Sequence, residues 1–432
     1  MNLGKILWNV TIVDRKNNAP REKMAVLIVN DRIQDVLSMN EVKSHNGYEV
    51  MDMEGQFLLP GLIDAHVHLA GCKGFEFNAV SINPMVRAYK GLAQAQNMLR
   101  YGFTTVRDIS FNGLYLKRVI NHGDLVGPRI IACGPGINRS GGHADVHEYP
   151  YSFIKDNHFW GVYGDGKEEV RKAVRMLLRE GADQIKFFAD GGGNNAVDRI
   201  GDMHYTYEEM KTIVEEAKMI RGTKVCAHAE IRESINACVD AGVDSIEHGE
   251  DLTEEIAEKM KKRGTFLVPT LNLIANWSRD FVVDESDIQP SEEYGPFFYR
   301  DHDQPDIDSE AERKKAYDNF KLALRNGVEI ALGSDSIEDD STVYGYYSAK
   351  ELEVMVDAGM TALEGIKAAT SSAARLLGVD HLTGSIEKGK LADLIVVSGD
   401  ITKDVKIIQD KKNIQYVFQS GKLVLSEGNL HI

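Results

Sequence analysis

Phe57-Leu58-Leu59-Pro60-Gly61-Leu62-Ile63-Asp64-Ala65-His66-Val67-His68-Leu69 is the stretch that decides how this chain is read. It is an apolar run of strand character that ends in two histidines one residue apart. A strand sends alternate side chains to the same face. His66 and His68 therefore point the same way, and Asp64 with them. Two neutral imidazoles converging on one point form a metal-binding geometry. A chance pair of partly buried histidines fits the same residues. What separates the two readings is whether other strands of the chain end in further donors.

Outward from that run, short apolar stretches alternate with helical ones, the pattern of β-α units around a parallel sheet. Eight strand candidates follow in order, at 58–69, 104–110, 129–134, 184–188, 224–229, 245–249, 266–271 and 329–335. The segments 167–180, 207–221 and 253–263 show helical spacing with charged faces. An Ala- and Leu-rich stretch at 361–377 reads as a closing helix. Eight such units predict an α/β fold of the (β/α)8 (TIM) barrel type. Both ends of the chain read differently. Runs at 6–13, 24–29 and 48–53, and again at 392–397, 414–419 and 422–425, are short β segments. The last two flank Ser420-Gly421, a hairpin signal. The expected organisation is a small β-sandwich domain from residues 1–57 and 380–432, with the barrel in residues 58–379. The stretch 272–305, with Trp277, Tyr294, Phe297, Phe298 and Tyr299 among acidic residues, is long for a plain connection. It reads equally as a lid or binding insertion and as a surface excursion packed on its own scaffold.

Composition bounds the function. The 432 residues carry a formal net charge of -16, with 43% hydrophobic and 27% charged residues. An acidic globular chain of this kind is not a general nucleic-acid or anionic-membrane binder. No run is long and apolar enough to span a bilayer, and the N-terminus lacks the pattern of a signal peptide. Four scattered cysteines, Cys72, Cys133, Cys226 and Cys238, form no disulfide framework and suit a reducing cytoplasm. The expected partner is a small-molecule substrate.

In a barrel of this class the chemistry collects at the C-terminal ends of the strands. Strand one ends in His66 and His68, strand four holds Lys186, strand five His228, strand six His248 and strand eight Asp335. Alone, His228 and His248 read as core histidines, and Asp335 as a helix cap. Together they supply the nitrogen and oxygen donors that zinc and related divalent ions prefer. Lys186 is the most telling member. An ammonium inside a barrel strand is costly. Burial favours the neutral amine, and a neutral amine reacts with carbon dioxide to give a carbamate, an anionic oxygen donor able to bridge two ions. The competing reading pairs Lys186 with a buried carboxylate such as Asp335.

These motifs resemble the amidohydrolase superfamily over essentially the full length. The matching stretches are Asp-Ala-His-Val-His at 64–68, Thr-Thr-Val-Arg-Asp at 104–108, Gly-Gly-His at 141–143 and Gly-Ala-Asp-Gln-Ile-Lys at 181–186. They continue with Ala-His-Ala at 227–229, Ile-Glu-His-Gly at 246–249, Gly-Ser-Asp at 333–335 and the tail at 384–397. The chain is most similar to the imidazolonepropionase-related branch, which includes Xaa-Pro dipeptidases and carboxypeptidase-like enzymes with a carbamylated lysine. The resemblance implies two divalent ions, expected to be Zn2+. His66, His68 and Asp335 would hold one, His228 and His248 the other, and a carbamate on Lys186 would bridge them. It implies that His143 contacts the scissile group; by itself that residue reads as a solvated loop histidine. Homo-oligomers are common in the branch. One position departs from it. Dipeptidase-like relatives carry a tyrosine two residues after the strand-five histidine, where this chain has Glu230. A carboxylate there repels a substrate carboxylate, so either the substrate's charge differs at that point or the dipeptidase reading is weakened. The glycine-rich loop Asp190-Gly191-Gly192-Gly193-Asn194-Asn195 also bears on specificity and is not a phosphate-loop pattern.

The expected reaction is hydrolysis of an amide bond, in a peptide or N-acyl amino acid, by a metal-bridged hydroxide. Asp335 acts as general base and then acid, and His143 helps to stabilise the oxyanion. Lactones, esters and phosphotriesters suit the same machinery. Rival readings are a mononuclear deaminase or cyclic-amidine hydrolase, which does not need Lys186, and a barrel that binds without catalysing.

Overall fold

The run at 57–69 is two strands, not one. Phe57–Pro60 belongs to a sheet built from the chain ends, and Leu62–Val67 opens the parallel barrel. The parting falls at Gly61. Its N–H donates to Asp393 O on the terminal side (2.8 Å), and the next N–H, of Leu62, donates to Gly102 O on the barrel side (2.9 Å). A Cβ at position 61 would lie 2.1 Å from Thr104 Oγ1, so only glycine fits. The computed structural model describes the chain except for residues 1–3, 15–18, 73–81, 147–148, 156–159, 194–197, 274–308, 338–342 and 432. The aromatic stretch read at 272–305 lies, beyond residue 273, outside the described residues.

In chain order the strands are β1 Gly4–Ile12, β2 Arg21–Val29, β3 Arg32–Ser38, β4 Tyr48–Asp52, β5 Phe57–Pro60 and β6 Leu62–Val67. They continue with β7 Phe103–Asp108, β8 Arg129–Ala132, β9 Gly136–Asn138, β10 Gly161–Tyr163, β11 Ile185–Phe188 and β12 Val225–Ala229. The last are β13 Ser245–His248, β14 Phe266–Val268, β15 Leu394–Val397, β16 Ile414–Gln419, β17 Lys422–Ser426 and β18 Asn429–Leu430. The terminal sheet runs β18-β17-β16-β15-β5-β1-β2-β3, with β4 also paired to β1. Strands from both ends thus share one β-sandwich layer system, joined where β5 lies parallel to β1 and antiparallel to β15. Alternate residues of these strands, among them Leu7, Val26, Ile28, Leu58, Leu394 and Phe418, form its core.

The middle of the chain is the (β/α)8 barrel. β6, β7 and β8 run parallel, as do β11 to β14, with β9 and β10 flanking β11. The eighth strand, expected at 329–335, makes single parallel bridges rather than a continuous ladder, at Ile330 to Leu267 and Ser336 to Val67. Its backbone still joins both neighbours. Ala331 N donates to Leu267 O (3.0 Å), Ala65 N to Leu332 O (2.8 Å), and Asp335 N to His66 O (2.8 Å). The break in regularity coincides with a left-handed Asp335, at φ 54°.

The helices follow their sequence signals. Lys167–Glu180 spans the expected residues and stops at left-handed Gly181. Tyr207–Met219 begins with a reciprocal cap between Thr206 and Glu209, and Glu254–Arg263 is capped by Thr253. The closing helix is interrupted. Ala362–Lys367 and Ala373–Leu377 are joined by a wide turn, Ala368–Ser372, and Ala368 O accepts the N–H of Leu332 from the eighth strand (3.1 Å). No helix among the described residues is long and apolar enough to cross a membrane.

Candidate metal centre

The first cluster grows from β6. His66 lies at its end, and its Nδ1 is 2.7 Å from Glu247 Oε2 on β13. Glu247 can only accept, so that nitrogen carries the proton and Nε2 carries the lone pair. Glu247 is held by Arg107 of β7, whose Nη2 reaches both carboxylate oxygens at 2.7 Å. His68 repeats the arrangement. Its Nδ1 donates to Ile109 O (2.7 Å), leaving Nε2 toward Asp335. Asp335 Oδ1 stands 2.9 Å from His68 Nε2 and 3.3 Å from His66 Nε2. Two imidazole nitrogens whose ring partners hold the proton thus face one carboxylate oxygen. That arrangement requires a cation or an extra proton between them. Asp64, on the same face of β6, points elsewhere and acts as a brace. Its Oδ1 accepts from the N–H groups of His66 and Ser334, and its Oδ2 from Ser334 Oγ (2.6 Å).

Electrostatics agrees with that need. Burial, assisted by the Lys186 charge, holds His66 down to about 4. Burial likewise takes His248 down to about 3 and His228 well below the usual imidazole range. Burial alone would raise Asp335, but His66, His68 and His248 outweigh it and hold the carboxyl well below its ordinary value. His66, His228 and His248 are therefore neutral and Asp335 is ionised near neutral pH, which are the forms that ligate metals.

His248 links this cluster to a second. Ligating atoms of His66, His248 and Asp335 lie within 4.8 Å of one another, and so do those of His228, Glu230 and His248. The rings of His228 and His248 meet edge to face at 4.7 Å. Three non-glycine residues with left-handed backbones, His248, Thr270 and Asp335, gather here. His248 Nδ1 and Thr270 Oγ1 are 2.7 Å apart, a contact that helps hold this conformation.

Lys186 is fully buried on β11, with its Nζ 5.4 Å from the centre of the Phe188 ring. Among the described residues no carboxylate pairs with it, since Asp335 is engaged by His66 and His68. The pairing of Lys186 with Asp335 is thereby set aside. His143 is not a solvated loop residue. It is buried, stacks on His228 with ring centres 4.2 Å apart, and its Nδ1 is 2.8 Å from Asp198 Oδ2. Glu230 Oε1 is 3.6 Å from His228 Nε2. Burial raises the Glu230 carboxyl well above the carboxylate range, and Glu250, Asp190, Asp198 and Asp335 add to it. All of the expected site residues, His66, His68, His143, Lys186, His228, Glu230, His248 and Asp335, therefore face one region at the C-terminal mouth of the barrel.

Four charged residues of this region escaped the sequence reading: Arg107, Glu247, Asp190 and Asp198. Arg107 and Glu247 lie inside motifs quoted above, and Asp190 opens the glycine-rich loop. For Arg107 and Glu247 the available signal was a charge inside an otherwise apolar strand. Their partners, however, are distant in the chain. Glu247 lies 140 residues from Arg107 and 181 from His66.

The donor set fits divalent ions. The imidazoles of His66, His228 and His248 are neutral, the Asp335 carboxylate is ionised, and His228 Nε2 and Asp190 Oδ1 are buried without hydrogen-bond partners.

Comparison with known proteins agrees with this geometry. The sequence profile of the Amidohydrolase family matches residues 57–424. An ochratoxinase of Aspergillus niger is 32% identical over 388 residues, covering 86% of this chain and 76% of that protein. A prolidase solved in complex with N-methylphosphonate-L-proline superposes with a TM-score of 0.85 at 28% identity, covering 98% of this chain and 99% of that one. A Xaa-Pro dipeptidase with methionine bound in its active site superposes with a TM-score of 0.81 at 30% identity, covering 97% of this chain and 99% of that one. With the family profile spanning most of the chain and the barrel carrying its donors at the strand ends, this protein belongs to the amidohydrolase family.

Proposed function

We propose that the protein is a metal-dependent hydrolase that cleaves an amide bond in a small substrate such as a dipeptide or an N-acyl amino acid. The observation that carries this reading is the pair of imidazole nitrogens, His66 Nε2 and His68 Nε2, facing Asp335 Oδ1 at 3.3 and 2.9 Å. The named activities of the relatives, an ochratoxinase, a prolidase and a Xaa-Pro dipeptidase, support the bond type. His66, His68 and Asp335 would hold one ion and His228 and His248 the other, with Lys186, as a carbamate, supplying a further oxygen donor. The absence of a carboxylate partner for Lys186 among the described residues supports that assignment. When bound, zinc or a related ion lowers the pKa of water and polarises the carbonyl.

The protein's own groups do the rest. Asp335 takes a proton from the attacking water and returns it to the leaving nitrogen. His143, with Asp198 accepting at Nδ1, stabilises the carbonyl oxygen as charge develops there when its ring is doubly protonated and Nε2–H donates. Glu230 faces the substrate, and its carboxyl, kept protonated by burial, can donate a hydrogen bond to an anionic group beside it. The four free, buried cysteines support a reducing compartment, and a homo-oligomer is expected by light scattering.

Metal analysis of zinc-reconstituted protein with bicarbonate present, alongside a kinetic screen of dipeptides, N-acyl amino acids and lactones, tests this. About two ions per chain and amide turnover are expected, with both falling in Lys186→Ala. Full metal content and full turnover in Lys186→Ala would refute the bridging carbamate. One ion per chain would point to the mononuclear chemistry instead.

A further inference from the structure

One side of the barrel mouth is apolar, directly beside donors that are not. Trp160, immediately before β10, meets the His68 ring edge to face, with ring centres 5.7 Å apart. Phe188 closes β11, and its ring centre is 5.2 Å from that of His143 and 5.8 Å from that of His228. With Ala70, Cys72 and Ala144 these two rings form a buried cluster separate from the barrel core. Its members come from different strand ends: Ala70 and Cys72 follow β6, Ala144 follows β9, and Phe188 ends β11. A closed cluster of this kind would serve only to pack the connections together. This one is not closed. Ile82, Val146 and Ile337, which follow β6, β9 and the eighth strand, pack on it and stay partly exposed. The wall is also stiff. A Cβ at position 136 would lie 2.3 Å from Phe188 Cε2, so the glycine there lets the ring sit against the β9 backbone. Apolar side chains held beside catalytic donors take an apolar group of a ligand out of water.

We propose that this wall is the subsite for the acyl group of the substrate, and that it selects amides with a linear aliphatic or aromatic acyl group over acetylated or charged ones. The inference rests on the amide-hydrolase reading above and adds the substrate class. The place of the wall sets which part of the substrate meets it. The acyl chain is bonded to the carbonyl carbon whose oxygen His143 addresses. Ala144 follows His143 in the chain, and Phe188 packs on its ring. Glu230 stands instead at His228, with Oε1 3.6 Å from Nε2, so a polar group of the leaving amine finds its partner there. Each methylene of the acyl chain buried against the wall should raise kcat/KM about fourfold.

Two substrate series on the zinc-reconstituted enzyme test this. One is N-acyl-glycines from acetyl through butanoyl to hexanoyl, with benzoyl and succinyl members. The other keeps the acetyl group and varies the leaving amino acid from glycine to leucine. In the first, kcat/KM is expected to rise about fourfold per methylene, with benzoyl above acetyl and succinyl below butanoyl. Trp160→Ala should flatten that rise to about twofold per methylene or less. A Trp160 that only packs the fold would lower every member by one factor and keep the slope, and that result overturns the inference. Should Trp160→Ala fail to fold, Ile82→Ser and Val146→Ser, at partly exposed positions, take its place with the same expectation. A flat acyl series in the wild type, or a slope that follows the leaving amino acid instead, overturns the acyl subsite and leaves amide hydrolysis standing. No turnover of any amide by the zinc-loaded protein overturns amide hydrolysis, and this inference with it.

Discussion

Glu247 sits in the barrel interior as a full charge that, among the described residues, Arg107, His66 and Ser245 address by hydrogen bonds. Burial alone would raise its carboxyl, but Arg107 and His66 overcome this and hold it far below the usual range. Removing one member of such a pair strands the other charge in the core. Glu247→Gln is therefore expected to lose about 3–5 kcal/mol of stability in urea unfolding of the metal-free protein. Its zinc affinity should fall about 10–100-fold, because His66 loses the acceptor that sets its tautomer. A loss below about 0.5 kcal/mol would place Glu247 outside the machinery. Glu230 is the second test at this scale. Glu230→Ala removes a carboxyl that burial keeps protonated and able to donate to a substrate carboxylate, and should lower kcat/KM for carboxylate-bearing substrates about tenfold relative to neutral ones, a difference of about 1.4 kcal/mol. An unchanged ratio would take Glu230 out of substrate recognition. The candidate donors at 66, 68, 186, 228, 248 and 335 were legible because each is a polar residue inside or just past an apolar strand. The supporting charges were not, since an isolated Arg or Glu in a strand does not name its partner.

Among the elements, the helix Tyr346–Asp357 is fastened to the C-terminal segment by Glu353. Its carboxylate meets Lys350 at 2.7 Å, Lys406 at 3.0 Å and Gln409 Nε2 at 2.6 Å. Burial opposes its ionisation, but Lys350, Gln409 and Lys406 prevail and hold the carboxyl down to about 2. The group titrates lower in the folded chain than in the unfolded one. Its stabilisation is therefore fully present above its ordinary value of 4.5 and is lost as pH falls toward about 2. Thermal unfolding of Glu353→Gln against wild type should show a gap in Tm that is constant near neutral pH and narrows below pH 4.5. A gap independent of pH would show that the charge contributes nothing. Helix ends were readable from local chemistry, as Thr206 with Glu209 and Thr361 with Glu364 show. The split at Gly61 and the interrupted eighth strand were not, because neither leaves a local mark. The first depends on Thr104 and Asp393, and the second on backbone partners in β6 and β14.

For the molecule as a whole, the barrel and the terminal sheet meet at Arg129 and Asp393. Arg129 Nη1 donates to Asp393 Oδ2 at 2.6 Å and to Thr105 Oγ1 at 3.3 Å, and the buried Asp393 also accepts the Ser420 N–H at 2.7 Å. Arg129→Ala leaves that carboxylate uncompensated and is expected to cost about 3–5 kcal/mol. The urea midpoint should fall with the m-value unchanged if the two parts unfold together. A lowered m-value or a second transition would mean that they unfold separately. Metal removal acts on the same scale. An ion that binds only the folded chain stabilises it by about 2.7 kcal/mol at a free concentration of 100 Kd. Chelation should therefore lower Tm in the wild type and do so less in Asp335→Asn, and equal shifts would argue against Asp335 as a ligand.

Periodicity and residue type by themselves determined the alternation of strands and helices, the partition between chain ends and middle, and the donors at the strand ends. Those properties are local, since a strand's alternation and a helix's cap are written within a few residues. Only the tertiary structure decided which ring nitrogen of His66 and His68 is bare, that Glu247 and Arg107 stand behind His66, and that His143 stacks on His228. Each of those depends on distances between segments far apart in the chain. A histidine's tautomer is set by whatever the fold brings to its other nitrogen.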